Sequence, residues 1–128
     1  MRPETDEWVS KAEADFLSMQ REAAVSQSPN HDLVCFLAQQ SAEKYLKGLL
    51  CEDGIAFPKT HDLLKLAALL PRTRSCPGNF SQVFARLDRY SVEFRYPGSS
   101  ATTALAANSA QDAEAIRLWA RQAIGLAS

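Results

Sequence analysis

The chemistry this sequence can offer is confined to a few places. Residues 33–51, LVCFLAQQSAEKYLKGLLC, are apolar almost all round when set at 100° per residue, and Gln39, Gln40, Glu43, Lys44 and Lys47 gather on one stripe. Two adjacent amides and two ammonium groups on one side of an apolar helix offer hydrogen-bond readout and phosphate attraction together. Glu43 and Lys47 are also one turn apart, an ion pair worth only a few tenths of a kcal/mol when exposed, so the stripe also reads as a solvated face. His61 follows Thr60, a candidate N-cap, where the helix dipole favours a neutral imidazole that can donate and accept. Packing at a helix cap accounts for His61 as well. Arg95, Tyr96, Pro97 and Gly98 put a guanidinium, an aromatic ring and a rigid turn in one place. That set can pair a phosphate and stack a base, or Arg95 simply covers a helix C-terminus.

Other chemistries find little support. The two histidines, His31 and His61, show no metal-ligand spacing with the carboxylates or thiols, so no metal and no cofactor is expected. His31 reads as a solvated or capping imidazole at a helix entrance. Cys35, Cys51 and Cys76 lack a CxxC arrangement, and Cys35 and Cys51 fall inside the apolar helix as small core residues. A nucleophilic Cys/His pair is permitted on paper but has little support, because the Cys positions mostly read as buried and inert. The carboxylates show no acid/base pair.

The elements that must position these groups are all helical. A first helix should open near Thr5 as N-cap, with a stripe of Trp8, Val9, Ala12, Phe16, Met19 and Ala23. Ser28, Pro29 and Asn30 stop it, and a short link makes the central helix antiparallel to it. Gly54 ends the central helix in the left-handed conformation. Thr60 should cap a short helix, HDLLKLAALL, closed by Pro71, and Arg72 to Asn79 read as a loop. Phe80, Val83, Phe84, Leu87, Tyr90, Ser91 and Phe94 mark a further amphipathic helix ending near Arg95, because Pro97 disfavours helix at Tyr96. Gly98 to Asn108 read as an exposed loop whose later alanines add a turn, and Asn108 or Ser109 should cap the last helix. Its buried face would be Ala113, Ile116, Trp119, Ala120, Ala123 and Ile124. The expected fold is an all-α, up-and-down antiparallel bundle of four longer helices plus one short one.

One domain spanning 1–128 is long enough to bury a core without staples. With 14 Lys and Arg against 15 Asp and Glu, the net charge is −1, so no global field draws the chain to nucleic acid or anionic lipid. The acidic start and the absence of a long apolar run point to a cytoplasmic chain with no membrane segment.

Trp8 with Asp15 and Phe16, then AQQSAEKYLKGLL, then PKTHDLLKL, then a helix ending in RYPG, resemble the HEPN domain family, the higher eukaryotes and prokaryotes nucleotide-binding domains. The likeness runs from about Trp8 to Ile124. It implies an all-α bundle that commonly dimerises and is often encoded beside a minimal nucleotidyltransferase as a toxin–antitoxin pair. Carried over by motif, the family's polar residues fall on Gln40, Glu43, Lys44, Lys47, His61, Arg95 and Tyr96. Members that cut RNA carry an Arg followed four to six residues later by a His. Here Ser100, Ala101 and Thr102 follow Arg95 near that spacing.

The expected function is thus a non-catalytic HEPN domain binding a nucleotide, or a nucleotidyltransferase partner, through the central stripe and the Arg95/Tyr96 corner. A homodimer is expected because Phe36 and Leu37 lie on the polar side and need cover from another helix or chain. The alternatives are a metal-independent ribonuclease using Arg95 and His61, which needs both in one cleft, and a structural helical adaptor.

Overall fold

In the computed structural model, which describes residues 1–74 and 76–127, five α-helices and one 3-10 turn follow one another. They are α1 (Pro3–Ala23), α2 (His31–Glu52), α3 (Leu63–Ala68), the turn Arg72–Arg74, α4 (Phe80–Glu93) and α5 (Thr103–Ile124). Ser75, within the expected loop, and Ser128 lie outside the described residues. The chain is all-α, as the periodicity indicates, and α2 packs against each of the other four helices. Val34, Cys35, Ala38, Ala42, Leu46 and Leu50 of α2 join one core cluster, and Tyr45 and Leu49 a second. An α2 apolar on nearly every side is stable because neighbours cover most of its circumference.

Contacts at the helix ends fix the directions. The Arg2 amide donates to Glu52 and the Ser41 hydroxyl to the Ala12 carbonyl, so α1 and α2 are antiparallel. Phe80 meets Trp119 edge-on and Arg86 pairs with Asp112, so α4 and α5 are antiparallel. His31 lies against Thr103 and Cys35 against Ser109, so α5 runs parallel to α2. The chain therefore goes up and down through its long helices. The buried residues of α5, Ala106, Ser109, Ala113, Ile116 and Ala120, recur at alternate steps of three and four, a narrow seam of mostly small side chains.

Several boundaries differ from the sequence reading. The first helix starts at Pro3, because proline's fixed φ suits the first helical position; Thr5 is not its cap but lies fully buried in the first turn. Asp62, not Thr60, caps α3 by accepting from the Lys65 amide, while Thr60 accepts from the Asp62 amide in the turn before it. The short helix consequently has six residues. The last helix starts at Thr103, with Thr102 accepting from the Leu105 amide, so neither Asn108 nor Ser109 is a cap. Alanines at 104, 106 and 107 carry the helix back to that cap, and Ser109 is buried inside it. Gly54 does close α2 with φ +69°, and the Ile55 amide reaches back to the Leu50 carbonyl.

Candidate functional site

The polar stripe of α2 is largely withdrawn from water, with Gln40 and Lys44 half-buried. Gln39, Glu43 and Lys47 are all buried, and the chain itself fills the seam with the bridge that follows α2 and with α4. The Gln39 amide nitrogen donates to the His61 carbonyl at 2.7 Å and Asp88 Oδ1 at 3.2 Å, with Glu43 Oε1 at 3.4 Å. Its oxygen therefore points the other way and accepts from Gln40 Nε2 at 2.8 Å. Glu43 receives Lys47 Nζ at 3.1 Å on one oxygen and lies 2.9 Å from His61 Nδ1 on the other. Every buried polar group of this network has a partner, the condition under which such burial is tolerated.

Two hollows open in front of the network and share His61, Ser91 and Arg95. The larger, of about 560 Å³, is also lined by Asp32, Phe36, Gln40 and Tyr90. The smaller, of about 280 Å³, reaches back to Gln39, Asp62 and Asp88. His61 rides on the bridge and exposes 82% of its side chain, so the ring is held by Nδ1 on Glu43 and shows its far nitrogen to solvent. Arg95 follows the α4 C-cap Phe94, and its guanidinium lies over the Phe36 ring at 5.3 Å. Tyr90 stacks on Phe94 behind them at 5.5 Å. Arg95 thus covers one face of Phe36 within the chain while the ring still lines the larger hollow, and Leu37 packs at the edge of the core.

Of the residues singled out by sequence, the structure brings Gln40, Glu43, His61 and Arg95 to this place. Lys44 turns to the other side of α2 and pairs with Asp15 of α1. Lys47 spends its charge on Glu43 and on the faces of Trp8 and Phe57, 5.5 Å and 5.9 Å from the ring centres. Tyr96 is 62% exposed and lines neither hollow. Sequence reasoning passed over Asp88, although a lone carboxylate one turn beyond Phe84 on the apolar side of α4 was a visible signal. Burial pushes the Asp88 carboxyl up to about 6, against the opposing effect of its bonds from Gln39 and the Leu63 amide, with Asp62 and Glu43 adding to the rise. Among the described residues no group of three His, Cys, Asp or Glu could hold a metal ion, and no helix is long and apolar enough to cross a membrane.

The chain is thus an α2-centred helical bundle in which an amide, an imidazole and a guanidinium side chain meet at one cleft. The HEPN domain pattern matches residues 5–123, and the chain belongs to the HEPN domain family. Its fold is similar to that of TT1696 from Thermus thermophilus, with a TM-score of 0.82 and 23% identity over 95% of this chain and 99% of that one. It is also similar to ST0689, an archaeal HEPN homologue, with a TM-score of 0.74 and 26% identity over 95% and 98%. No curated protein matches the sequence.

Proposed function

We propose that the cleft binds a nucleotide, with Arg95 pairing the phosphate, Phe36 and Tyr90 offering aromatic surface to the base, and Gln40 and His61 meeting its polar edges. The observation that supports this most is the convergence of His61, Gln40 and Arg95 on one hollow of about 560 Å³, a volume in the range of small-molecule sites. Lys44, Lys47 and Tyr96 then act outside the direct contacts. The toxin–antitoxin role, the nucleotidyltransferase partner and the homodimer belong to the same proposal, as properties that the family resemblance implies. The test is a thermal-shift titration of wild type and Arg95→Ala with AMP, GMP, CMP and UMP. A ligand at about 100 times its dissociation constant adds ~2.7 kcal/mol to wild type, and Arg95→Ala should remove that gain.

One observation favours a second reading. His61 is oriented by a buried carboxylate and shares the cleft with Arg95, the arrangement proton transfer near a phosphodiester requires. Metal-independent cleavage of a short RNA, lost in His61→Ala and in Arg95→Ala, would establish an enzyme; intact RNA together with nucleotide binding would establish a binding module.

A further inference from the structure

His61 sits on a stretch without regular structure, yet the cleft needs its imidazole in one place. Three bonds supply that placement. The ring is tied to Glu43 at 2.9 Å, the His61 carbonyl to Gln39 Nε2 at 2.7 Å, and the amide of Leu63, two residues on, to Asp88 Oδ2 at 2.9 Å. The second oxygen of Asp88 accepts from the same Gln39 nitrogen at 3.2 Å. One carboxylate on α4 thus touches both backbone ties that bracket His61. We infer that Asp88 is the positioning residue of the cleft, holding the 61–63 segment against α2 and α4 so that His61 faces the ligand; the ligand itself rests on the nucleotide-binding reading.

The chemistry of Asp88 makes this tie sensitive to protons. Its two partners, a side-chain amide and a backbone amide, are neutral donors. The charged groups that face it are Glu43 from α2 and Asp62 from the bridge, while His61 and Arg95 line the same hollow. Protonation turns one acceptor oxygen into a hydroxyl, and a hydroxyl hydrogen aimed at an N–H cannot bond it. The oxygen that takes the proton becomes a weaker, neutral acceptor, so the tie it makes loosens, and the carboxyl, pushed up to about 6 by burial, makes that change in mildly acidic solution.

The test uses the isotope-labelled full-length chain, free and with AMP, between pH 5 and pH 8. In the free protein the Leu63 amide proton should shift in a step centred near pH 6. That step should persist in His61→Ala, which removes the imidazole's own titration, and vanish in Asp88→Asn. AMP should bind Asp88→Asn about tenfold more weakly than wild type at pH 7.5, with the pH profile flattened, as expected for losing one charged hydrogen bond from the bracket. A Leu63 amide that does not titrate in wild type, or one that titrates alike in Asp88→Asn, overturns the inference without reference to any ligand. Equal AMP affinity and equal pH profile in wild type and Asp88→Asn overturn it too. If AMP binds neither protein while the Leu63 step behaves as described, the nucleotide reading fails and the positioning of His61 by Asp88 stands.

Discussion

Lys47→Met isolates the energetic role of the buried pair beneath the cleft. The side chains of Lys47 and Glu43 retain only 9% and 4% of their exposure, so removing the cation leaves a buried carboxylate without its ammonium partner. Breaking a buried pair from one side costs about 3–5 kcal/mol, and Glu43 keeps its contacts with Gln39 and His61, which places the expected cost near 3 kcal/mol. Methionine preserves packing against Trp8 and Phe57, so the loss reports charge rather than volume. An unfolding entropy of about 2.1 cal/mol/K per residue gives ~0.27 kcal/mol/K for 128 residues, so the thermal midpoint should fall by ~11 °C. Urea unfolding of wild type, Lys47→Met, Glu43→Gln and the double variant completes a thermodynamic cycle. The double variant should recover at least about 1.5 kcal/mol relative to the sum of the singles. A Lys47→Met cost below about 1 kcal/mol with additive effects would refute the pairing as described.

Two further outcomes follow from the same geometry. Asp88 has a carboxyl raised from 3.8 to about 6, so between those values the folded chain holds a proton that the unfolded chain has released, and stability falls as pH rises through this window. The full shift corresponds to ~3 kcal/mol, but solvent screening at this half-buried site reduces the expected loss to ~1 kcal/mol between pH 4 and pH 6.5 relative to Asp88→Asn, measured by urea unfolding. Among the thiols, Cys51 should react first with an aromatic disulfide reagent. Cys35 is fully buried with its thiol pushed up by burial, and burial raises Cys76 to about 11, so mass mapping of a short labelling time should find both unmodified.

How much was legible depends on the range over which each feature is decided. The helices are written in local periodicity, and the apolar arcs of α1 and α4 coincide with the buried residues Val9, Ala12, Phe16 and Met19 and Phe80, Val83, Phe84 and Leu87. The caps were harder, because Thr5, Thr60 and Ser109 are all capping residue types and only competition with Pro3, Asp62 and Thr102 decides among them. The stripe on α2 was visible, but not which neighbour covers each edge. Lys44 meets α1 and Glu43 meets the bridge, a division made by residues 29 and 18 positions away. Asp88 stood out as a lone carboxylate on an apolar face, but its partners were illegible, because Gln39 and Leu63 are 49 and 25 positions distant and neither carries an opposite charge that would announce the pairing.

The small-residue seam between α5 and α2 bears on register. Alanines at 106, 113 and 120 let the two helices approach closely, but such side chains make shallow knobs and resist longitudinal sliding weakly. What stops a slip is a pin at each end. Asp32 accepts from the Ala101 amide at 2.7 Å where α5 begins, and Arg74 ties Asp53 to the Ala123 carbonyl where it finishes. Asp32 also lines the larger hollow, so the pin that indexes α5 along α2 is part of the wall of the cleft. A change that let α5 move by one turn would therefore reshape the cleft from its far side, without touching His61, Gln40 or Arg95.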